Sequence, residues 1–347
     1  MSILKVKTDS GEYEVLIRKG ASSDIGKKLK QIARGNKTAI ITDDVVMPLY
    51  SDSIIGELSG CGFETCVYVL PHGEASKNGR EYLKILEFLA ESGLDRRDTV
   101  VALGGGVVGD IAGFAAATYL RGIDCVQIPT TLLSMTDSSV GGKTAIDLKA
   151  GKNLAGAFKQ PKFVAIDTDF LETLPEAEIK NGLGELIKYA VIDGGEILTM
   201  LEDGFGKNVQ KIVEAAVDIK RRVVEADEKE SGLRRILNFG HTPAHAAEKL
   251  SGFTLPHGVA VAAGVNLMLR ASVRKADCPA RDAQRIEKLC VKYGLPVAFE
   301  YTAKRLAEAS AGDKKTEGEF INLVLADKIG SVFSIKVPKT ELEEYYL

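Results

Sequence analysis

The stretch Thr99-Val-Val-Ala-Leu-Gly-Gly-Gly-Val-Val-Gly-Asp110 decides the fold of this chain of 347 residues. It opens with an apolar, β-branched run, which is typical of a strand buried on both faces of a sheet. Gly104, Gly106 and Gly109 then satisfy the GxGxxG pattern at the start of a helical stretch, where backbone N–H groups attract a pyrophosphate. Glycines at these positions also serve helix packing, and the sequence leaves that interpretation open. The stretch therefore predicts a βα unit of a dinucleotide-binding sheet.

Short β-rich runs and amphipathic helical stretches alternate on both sides of this unit. The runs cover residues 38–42, 65–70, 99–103, 125–128 and 163–166, and helical periodicity covers residues 44–58 and 82–89. Such alternation predicts a mostly parallel sheet covered by helices. The glycine fingerprint usually follows the first strand of a Rossmann fold, so its place near residue 104 predicts a different strand order.

The second half of the chain has a different pattern. From about residue 170 it consists of long helical runs, such as 209–228 and 259–273, and residues 320–325 and 331–337 predict a small hairpin. We therefore predict an α/β protein with a Rossmann-like dinucleotide-binding domain over residues 1–168 and a mainly α-helical domain over residues 169–347. The absence of a long linker predicts a tight interface with a cleft.

Composition and charge narrow the functional classes. The hydrophobic fraction of 45% suffices for globular cores, and a net charge of −3 argues against a nucleic-acid partner. The five cysteines form no CxxC pair and are odd in number, which predicts free thiols in a reducing cytosol. The first residues lack the apolar core of a signal peptide. The apolar run 100–120 contains glycines and Asp110, so it predicts a buried strand and helix rather than a membrane span. We expect a cytoplasmic protein that binds neither nucleic acid nor membrane.

Three of the four histidines fall within residues 241–257, in His241-Thr-Pro-Ala-His245 and at His257. Two histidines four apart share one helix face, and a third from a separate segment favours a metal or phosphate site over a structural role. Glu185 is the best acidic ligand upstream, and Lys188 lies one helical turn further along. From these residues alone, a surface ion pair is the favoured interpretation of Glu185 and Lys188.

Further polar positions are candidates for nucleotide or phosphate contacts. The tract from Asp137 to Thr144 carries two glycines and Lys143, but Asp137 stands where a Walker loop requires glycine, which disfavours kinase or ATPase chemistry. Lys143 and Lys152 are each suited to a phosphate group. Asp43, at the end of an early strand, is placed to bind a ribose hydroxyl or to cap the following helix.

Eight motifs in the order of the chain resemble the 3-dehydroquinate synthase family, and they span about residues 40–330. They are Gly73-Glu-Ala-Ser-Lys77, Gly104-Gly-Gly-Val-Val-Gly-Asp110, Tyr119-Leu-Arg-Gly122, Pro129-Thr-Thr-Leu-Leu133, Asp137-Ser-Ser-Val-Gly-Gly-Lys143, Gly151-Lys-Asn153, Gly184-Glu-Leu-Ile-Lys188 and Leu237-Asn-Phe-Gly-His-Thr242. The resemblance implies an N-terminal Rossmann-like NAD-binding domain and a C-terminal, mainly α-helical metal- and substrate-binding domain. It also implies a zinc ion, or cobalt, in the cleft between them.

The resemblance assigns roles to individual residues. Glu185, His241 and His257 are implied as metal ligands, whereas His245 is implied in substrate contact and proton transfer. The implied catalytic residues are Asp137, Lys143, Lys188, Glu230, Asn238 and His245. The implied substrate contacts are Arg121, Lys143, Asn153, Lys220, Arg234, Asn238, His245, Lys314 and Lys315. The implied NAD contacts are Asp43, Glu74, Ala75, Ser76, Lys77, Gly105, Gly106, Val107, Val108, Gly109, Asp110, Thr130, Thr131, Asp137, Lys143, Lys152, Asn153, Phe170, Leu171, Glu172, Thr173 and Asn181.

The family converts 3-deoxy-arabino-heptulosonate 7-phosphate to 3-dehydroquinate and phosphate in the shikimate pathway. The resemblance implies that NAD transiently oxidises a secondary alcohol, that zinc polarises its oxygen, and that phosphate leaves by β-elimination before the hydride returns. Ring opening and an intramolecular aldol step then close the carbocycle. The carboxylate and phosphate of this substrate explain the implied cationic contacts in a chain of nearly neutral charge. The resemblance also suggests a homodimer in which Arg121 reaches the neighbouring site.

Two places depart from the family pattern. The family often reads Gly-His-Thr-Phe-Gly-His where this chain has Pro243 and Ala244, and His-Gly-Glu where it has Val259. Proline is tolerated in the first turn of a helix but bends a helix further along. Val259 removes a possible carboxylate partner for a metal ligand, which predicts weaker zinc binding.

Three other functions remain as alternatives. The first is another sugar phosphate cyclase of the same fold, against which the presence of Lys220, Arg234, Asn238 and His245 argues. The second is a metal-dependent alcohol or glycerol-phosphate dehydrogenase, which would release NADH. The third, a non-enzymatic NAD sensor, is the least favoured, because it predicts the loss of metal-binding or substrate-binding residues and none of them is missing.

Overall fold

The computed structural model describes residues 2–312 and 318–347. The chain divides into two compact units, Met1–Leu174 and Pro175–Leu347. The division predicted after residue 168 falls in a turn of 3-10 helix, Thr168–Glu172, that follows the last strand of the first unit. Lys314 and Lys315, two of the implied substrate contacts, lie outside the described residues.

The first unit is built on a seven-stranded sheet. Its strands, including those of a separate hairpin, are β1 Ser2–Thr8, β2 Gly11–Arg18, β3 Lys37–Asp43, β4 Glu64–Leu70, β5 Thr99–Gly104, β6 Asp124–Pro129, β7 Lys143–Leu148, β8 Gly151–Phe158 and β9 Phe163–Asp167. Its helices are α1 Ile25–Ile32, α2 Met47–Gly60, α3 Gly79–Glu91 and α4 Gly106–Thr118.

The sheet has the order β1-β2-β9-β6-β5-β3-β4. The pair β1–β2 is antiparallel and the other neighbours are parallel, while β7 and β8 form the separate hairpin. From β3 onward, the parallel strands follow a doubly wound order, in which successive strands are added first on one side of β3 and then on the other. In such sheets a ligand binds where the strand order reverses, which here is at the carboxyl ends of β3 and β5. The predicted parallel sheet is confirmed. The glycine fingerprint follows β5 and not the first strand because β5 borders this switch point.

The stretch that opened the sequence forms the centre of this unit. Every residue of β5 is buried, and α4 packs against it through Val108, Ile111 and Ala115. The apolar run 100–120 is therefore a buried strand and helix, as predicted. Within residues 2–312 and 318–347, no helix combines the length and apolar character needed to cross a membrane. The five cysteines are free, also as predicted.

The second unit is mainly helical. Its helices are α5 Glu176–Asp193, α6 Gly195–Asp203, α7 Val209–Ala226, α8 His241–Leu250, α9 His257–Lys275, α10 Ala280–Lys292, α11 Ala303–Ala311 and α12 Leu342–Tyr346. The predicted hairpin is confirmed as the antiparallel pair β10 Phe320–Lys328 and β11 Ser331–Pro338.

Glycines bring three helices of this unit into backbone contact. A Cβ atom on Gly184 of α5 would lie 1.8 Å from the carbonyl oxygen of Gly258 in α9. A Cβ on Gly264, further along α9, would lie 2.1 Å from the carbonyl oxygen of Gly240, which precedes α8 with φ 79°. Real side chains do not tolerate such distances, so glycine is required for helices to approach this closely. The residues that follow Gly184 and Gly240 and precede Gly258 are Glu185, His241 and His257.

Candidate metal centre and nucleotide-binding elements

Glu185, His241 and His257 converge within the second unit. The Nε2 atom of His257 lies 3.1 Å from Oε1 of Glu185, and the Nε2 atom of His241 lies 3.4 Å from the same oxygen. All three possible ligand atoms lie within 4.8 Å of one another. The structure therefore brings together the three residues that the family resemblance implies as metal ligands. Their occupancy by a metal stays a prediction.

The donor set suits zinc or cobalt. One carboxylate oxygen and two imidazole nitrogens are a common ligand set of catalytic zinc, which keeps a fourth position for substrate. The other ring nitrogen of each histidine has a partner: Nδ1 of His241 lies 3.3 Å from the carbonyl oxygen of Phe239, and Nδ1 of His257 lies 3.4 Å from Oε1 of Glu248. Such partners hold the proton on Nδ1 and leave Nε2 as the ligand. The residues present thus fit a divalent transition metal.

The interpretation of Glu185 and Lys188 as a surface ion pair is wrong. Nζ of Lys188 lies 2.6 Å from Oε2 of Glu185, and the two side chains are 2% and 1% exposed. Helix α5 is buried on most of its surface because α9 crosses it at Gly184, so residues one turn apart here face the interior. The pair is part of the site.

Charges in this interior favour a cation. Burial raises the pKa of the Glu185 carboxyl, but the positive charge of Lys188 and the contact with His241 outweigh it and hold that pKa well below its usual range. Burial lowers the pKa of the His257 imidazole, but its hydrogen bonds with Glu185 and Glu248 raise it more, to about 10. Both shifts indicate that the carboxylates stabilise positive charge at the point where the rings meet.

His245 lies beside the three ligand residues, and its possible ligand atom lies near a different acid, Glu248. Its ring centroid is 5.5 Å from that of His241 and 5.9 Å from that of His257. Its possible ligand atom groups with those of Glu248 and His257, not with that of Glu185. This arrangement agrees with the role that the family implies for His245 rather than with two metal ligands in the HxxxH pair. Helix α8 begins at His241, so Pro243 falls in the first turn, where proline is tolerated.

Two of the implied substrate contacts are buried cations on other elements of this unit. Lys220 of α7 is 5% exposed, and Arg234 is 1% exposed in the 3-10 turn Leu233–Asn238. In the segment before that turn, Asp227 accepts hydrogen bonds from the backbone N–H groups of Ser231, Gly232 and Arg234 at 2.8–3.0 Å.

That segment also carries Glu230. Its backbone adopts φ 58°, and its Oε1 accepts a hydrogen bond of 2.7 Å from Nδ2 of Asn238. Arg234 donates through Nη1 to the carbonyl oxygen of Glu228. Glu230 and Asn238 are therefore brought together. Sequence reasoning did not single out Asp227, although the dipeptide Ser231-Gly232, four residues further along, is a typical turn signal.

In the first unit, the glycine fingerprint serves two purposes. Gly105 is the N-cap of α4 and offers no side chain to the N–H groups of Gly106, Val107 and Val108, which suits an anion. Gly109 lies deeper in the helix, where an added Cβ would be 2.8 Å from Oε1 of Gln127. The packing interpretation thus holds for Gly109, while the start of the helix fits the pyrophosphate of a dinucleotide.

Lys77, Asp110 and Asn153, three of the implied NAD contacts, meet in one cluster. Nζ of Lys77 lies 2.5 Å from Oδ2 of Asp110 and 2.6 Å from Oδ1 of Asn153, and the lysine is 4% exposed. Oδ1 of Asp147 accepts the backbone N–H of Asn153, whose φ is 56°. The lysine therefore ties the first unit's β7–β8 hairpin to α4. Nearby, Lys152 lies 3.7 Å from Glu74.

The other implied NAD contacts are more scattered. Asp43 accepts the N–H groups of Val45 and Val46 in the turn before α2, but the N-cap of that helix is Val46, so the predicted role of Asp43 as a helix cap is wrong. The rings of Phe170 and Tyr50 contact each other at a tilt, with centroids 4.2 Å apart, and the hydroxyl of Tyr50 is hydrogen-bonded to that of Thr173. Ala75 and Ser76 lie in the turn Glu74–Ser76, Thr130 and Thr131 follow β6, and Leu171 and Glu172 lie in Thr168–Glu172.

Four implied site residues lie in or beside backbone turns or at a helix contact. Arg121 is exposed in a turn with φ 67°. Asp137 and Lys143 flank a turn in which Gly141 and Gly142 have positive φ. Asn181 lies in the second unit, where its Oδ1 accepts the N–H of Gly258 at 2.7 Å.

A dinucleotide-type sheet and a helical unit that gathers two imidazoles around a carboxylate define the class to which this chain belongs, an α/β enzyme fold combining nucleotide and metal sites. Solved structures of sugar phosphate cyclases share it. One is 2-deoxy-scyllo-inosose synthase complexed with carbaglucose-6-phosphate, NAD+ and Co2+, with a TM-score of 0.89 and 23% identity over 99% of both chains. Another is ValA, a 2-epi-5-epi-valiolone synthase from Streptomyces hygroscopicus subsp. jinggangensis 5008 with NAD+ and Zn2+ bound. Its TM-score is 0.86, with 26% identity over 96% of this chain and 95% of that one.

Sequence comparison identifies the family. Residues 67–181 match the model of the 3-dehydroquinate synthase N-terminal domain, and residues 182–316 match that of the C-terminal domain. The 3-dehydroquinate synthase of Streptococcus thermophilus (strain ATCC BAA-491 / LMD-9) is 41% identical over 350 residues, which cover 99% of each chain. This chain belongs to the 3-dehydroquinate synthase family.

Proposed function

We propose that this protein is a 3-dehydroquinate synthase, a lyase that converts 3-deoxy-arabino-heptulosonate 7-phosphate to 3-dehydroquinate and phosphate. The observation that carries the proposal is the convergence of Glu185, His241 and His257 in a chain 41% identical, over nearly its whole length, to a named 3-dehydroquinate synthase. By this proposal the protein works in the cytoplasm, in the shikimate pathway that leads to chorismate and the aromatic amino acids.

NAD+ would be held by residues of the first unit. The start of α4, where Gly105 has no side chain to offer the helix N–H groups, suits the pyrophosphate. Asp43 lies at the carboxyl end of β3, beside the switch point of the sheet, where it suits a ribose hydroxyl. When bound, NAD+ accepts hydride from a secondary alcohol of the substrate and later returns it.

Glu185, His241 and His257 would hold the metal. Their donor set suits zinc and cobalt, and the related structures contain one or the other of these ions. When bound, the ion acts as a Lewis acid on a hydroxyl oxygen of the substrate. Lys188 keeps the Glu185 carboxyl ionised, which is the form that binds a cation.

The remaining residues of the second unit bind the charges of the substrate and move its protons. Lys220 and Arg234 are buried cations, and their positive charge and donor groups suit them to the carboxylate or phosphate of the substrate. His245, beside both metal-binding imidazoles, would carry a proton at a ring nitrogen. The hydrogen bond from Asn238 holds Glu230 in an orientation from which its carboxylate would accept a proton.

One assay tests the proposed function. Purified protein is supplied with NAD+, zinc and the heptulosonate phosphate, and both phosphate and dehydroquinate are measured over time. We expect the two products in equal amounts and no accumulation of NADH, because the hydride returns to the substrate. Steady NADH formation without phosphate would instead identify a dehydrogenase. Turnover of a different sugar phosphate, with none of this one, would identify another cyclase.

Two histidine variants form a matched pair for this assay. His241→Ala removes a metal ligand, so we expect loss of bound zinc and of turnover. His72→Ala removes the fourth histidine of the chain, which is 67% exposed and pairs with Asp44 in the first unit. The control is expected to retain zinc and activity. Stoichiometric zinc and full turnover in His241→Ala would contradict the ligand assignment.

We also propose that the protein is a homodimer in which Arg121 acts in the neighbouring site. The exposure of Arg121 in a left-handed turn supports this, since the side chain projects from a fixed backbone. Mixing Arg121→Ala with His241→Ala subunits tests the idea. If Arg121 acts across subunits, a mixed dimer regains one complete site and activity appears. If two inactive variants stay inactive after subunit exchange, Arg121 acts within its own chain.

A further inference from the structure

Glu248 is a buried acid that the sequence analysis did not identify. It lies on α8, one turn beyond His245 and two turns beyond His241, so the three side chains share a helix face. The residue is 2% exposed. Its Oε1 lies 3.4 Å from Nδ1 of His257, and its ligand atom lies within 4.8 Å of that of His245.

The partners of His257 differ between its two ring nitrogens. Nε2 faces Glu185, and Nδ1 faces Glu248. A carboxylate is an acceptor when ionised, so Glu248 places the imidazole proton on Nδ1. With a metal bound beside Glu185, Nε2 would give up its proton and offer the free electron pair that a metal ligand needs, while Glu248 keeps the proton on Nδ1.

Glu248 also provides a carboxylate beside a metal ligand in a chain that has Val259 where the family often has glutamate. A glutamate often follows His-Gly in the family, and its absence here predicts the loss of a carboxylate beside a metal ligand. Glu248 supplies such a carboxylate from a different helix. Because it is buried on α8, its charge lies close to both a metal ligand, His257, and the implied proton-transfer residue, His245.

We propose that Glu248 is a positioning residue of the metal centre. It fixes the tautomer and the ring orientation of His257. Because it also lies close to His245, it fixes the position of the proton-transfer histidine relative to the metal ligands. The inference rests on the proposed function for the role of His245. The part that concerns His257 depends on metal binding alone.

Metal affinity tests the proposal without reference to turnover. The zinc dissociation constants of the native protein, Glu248→Ala and Glu248→Gln are measured by competition with a chromophoric chelator, and cobalt-loaded samples give visible spectra. We expect Glu248→Ala to bind zinc roughly 10–100-fold more weakly, with an altered cobalt spectrum. Glu248→Gln retains an oxygen that accepts the Nδ1 proton, so its affinity is expected to lie between the two.

A control and a second measurement keep the test decisive. Glu202→Ala removes an acid of the same unit that pairs with Arg285 near the surface, and it is expected to bind zinc like the native protein. If Glu248→Ala does not fold, the comparison of Glu248→Gln with the native protein decides. Native-like zinc affinity in a folded Glu248 variant overturns the proposal. So do nitrogen-15 NMR spectra of the zinc-loaded protein that place the His257 proton on Nε2.

The outcomes separate this inference from the proposed function. A protein that binds zinc through a Glu248-dependent site but releases no phosphate from the heptulosonate phosphate retains the inference about His257 and loses the proposed activity. A fully active synthase whose zinc affinity is unaffected by Glu248→Ala retains the activity and loses the inference.

Discussion

The contribution of the Lys188–Glu185 ion pair depends on whether it is exposed or buried. On an exposed helix, an acid and a lysine one turn apart contribute little to stability. Here both side chains lie in the interior, 2.6 Å apart, and each compensates the charge of the other. The spacing in the sequence was correctly interpreted as an ion pair, but burial depends on α9, which lies far along the chain. Sequence spacing does not reveal it.

Removal of one partner of this pair is expected to be costly. Lys188→Met leaves the Glu185 carboxylate buried without its lysine, so we expect a loss of about 3 kcal/mol or more in the free energy of unfolding. Lys180→Met is the matched control on the same helix, because Lys180 pairs with Glu176 at the surface. We expect a change of less than about 1 kcal/mol there. Urea denaturation of both variants measures the difference, and equal losses would place the Lys188 pair among surface pairs.

Asp227 makes the segment before the turn Leu233–Asn238 sensitive to acid. Burial raises the pKa of its carboxyl, but hydrogen bonds from three backbone N–H groups lower that pKa by more, so the folded pKa lies below the unfolded value. Such a carboxylate stabilises the fold fully above its unfolded pKa, which is about 4, and loses this contribution as the pH falls through the folded pKa. We expect native protein to be more stable than Asp227→Asn at pH 7, with the gap narrowing below about pH 4.

Stability curves of the two proteins against pH check this expectation, and a gap that stays constant from pH 6 to pH 3 would contradict it. The variant also separates two roles of the segment. If Asp227 positions Arg234 and Glu230, Asp227→Asn raises KM for the heptulosonate phosphate or lowers kcat at pH 7, while zinc affinity stays native.

At the scale of helices, the crossing of α5 and α9 determines the metal site. Gly184 and Gly258 allow backbone contact, and their neighbours Glu185 and His257 therefore meet. We expect Gly184→Ala to destabilise the protein by roughly 1–3 kcal/mol and to weaken zinc binding, because a Cβ atom would lie 1.8 Å from a backbone oxygen and push the helices apart.

A glycine without neighbours is the control for that variant. Gly56 lies within α2, and an added Cβ there meets nothing within 4 Å. Gly56→Ala is expected to stabilise the protein by roughly 0.5–1 kcal/mol, since alanine loses less backbone freedom in a helix. Thermal unfolding and zinc titration of both variants suffice. Native zinc affinity in Gly184→Ala would show that the crossing does not position the ligands.

The same scale shows what the sequence predicts well. Short β-rich runs predicted β3, β4, β5, β6 and β9, because a cluster of β-branched and apolar residues is a local signal of a strand. The pairs β1–β2 and β7–β8 were not predicted. No residue of β8 is buried, and β2 joins the sheet through β9, a partner far along the chain. Partly exposed strands carry weak patterns, and their pairing depends on the rest of the fold.

The residues of the candidate site also differ in how well the sequence predicts them. The crowding of histidines indicated a site, and the family resemblance implied Glu185, His241 and His257 as its ligands, which the structure brings together. Glu248 was missed, although its spacing from His241 and His245 places it on the same helix face. An acid on a helix is usually solvated, and its burial here depends on how α8 packs. Residues that act through others are therefore harder to identify than ligands.

For the whole molecule, the metal is expected to act as a cross-link among three helices. Glu185 lies on α5, His241 on α8 and His257 on α9, and an ion that binds them together is absent from the unfolded chain. Chelated protein should therefore unfold at a lower temperature than zinc-loaded protein. A free zinc concentration 100 times the dissociation constant stabilises the fold by about 2.7 kcal/mol.

Calorimetry of native protein and His241→Ala, each with and without zinc, checks this expectation. The native melting temperature should rise with zinc and that of the variant should not. Equal shifts in the two proteins would mean that zinc binds elsewhere.

The backbone contacts at Gly184, Gly240, Gly258 and Gly264 have a consequence for how such enzymes diversify. These contacts leave no room for a side chain, whereas Lys220 and Arg234, the charged groups that would bind a substrate, stand on α7 and in the turn Leu233–Asn238, apart from these glycines. A lineage can therefore acquire a new ring-forming specificity by altering those charges while the helical crossing stays as it is. The cyclases that make other carbocycles share this fold at 23–26% identity, as expected if innovation proceeds through side chains on an inherited frame.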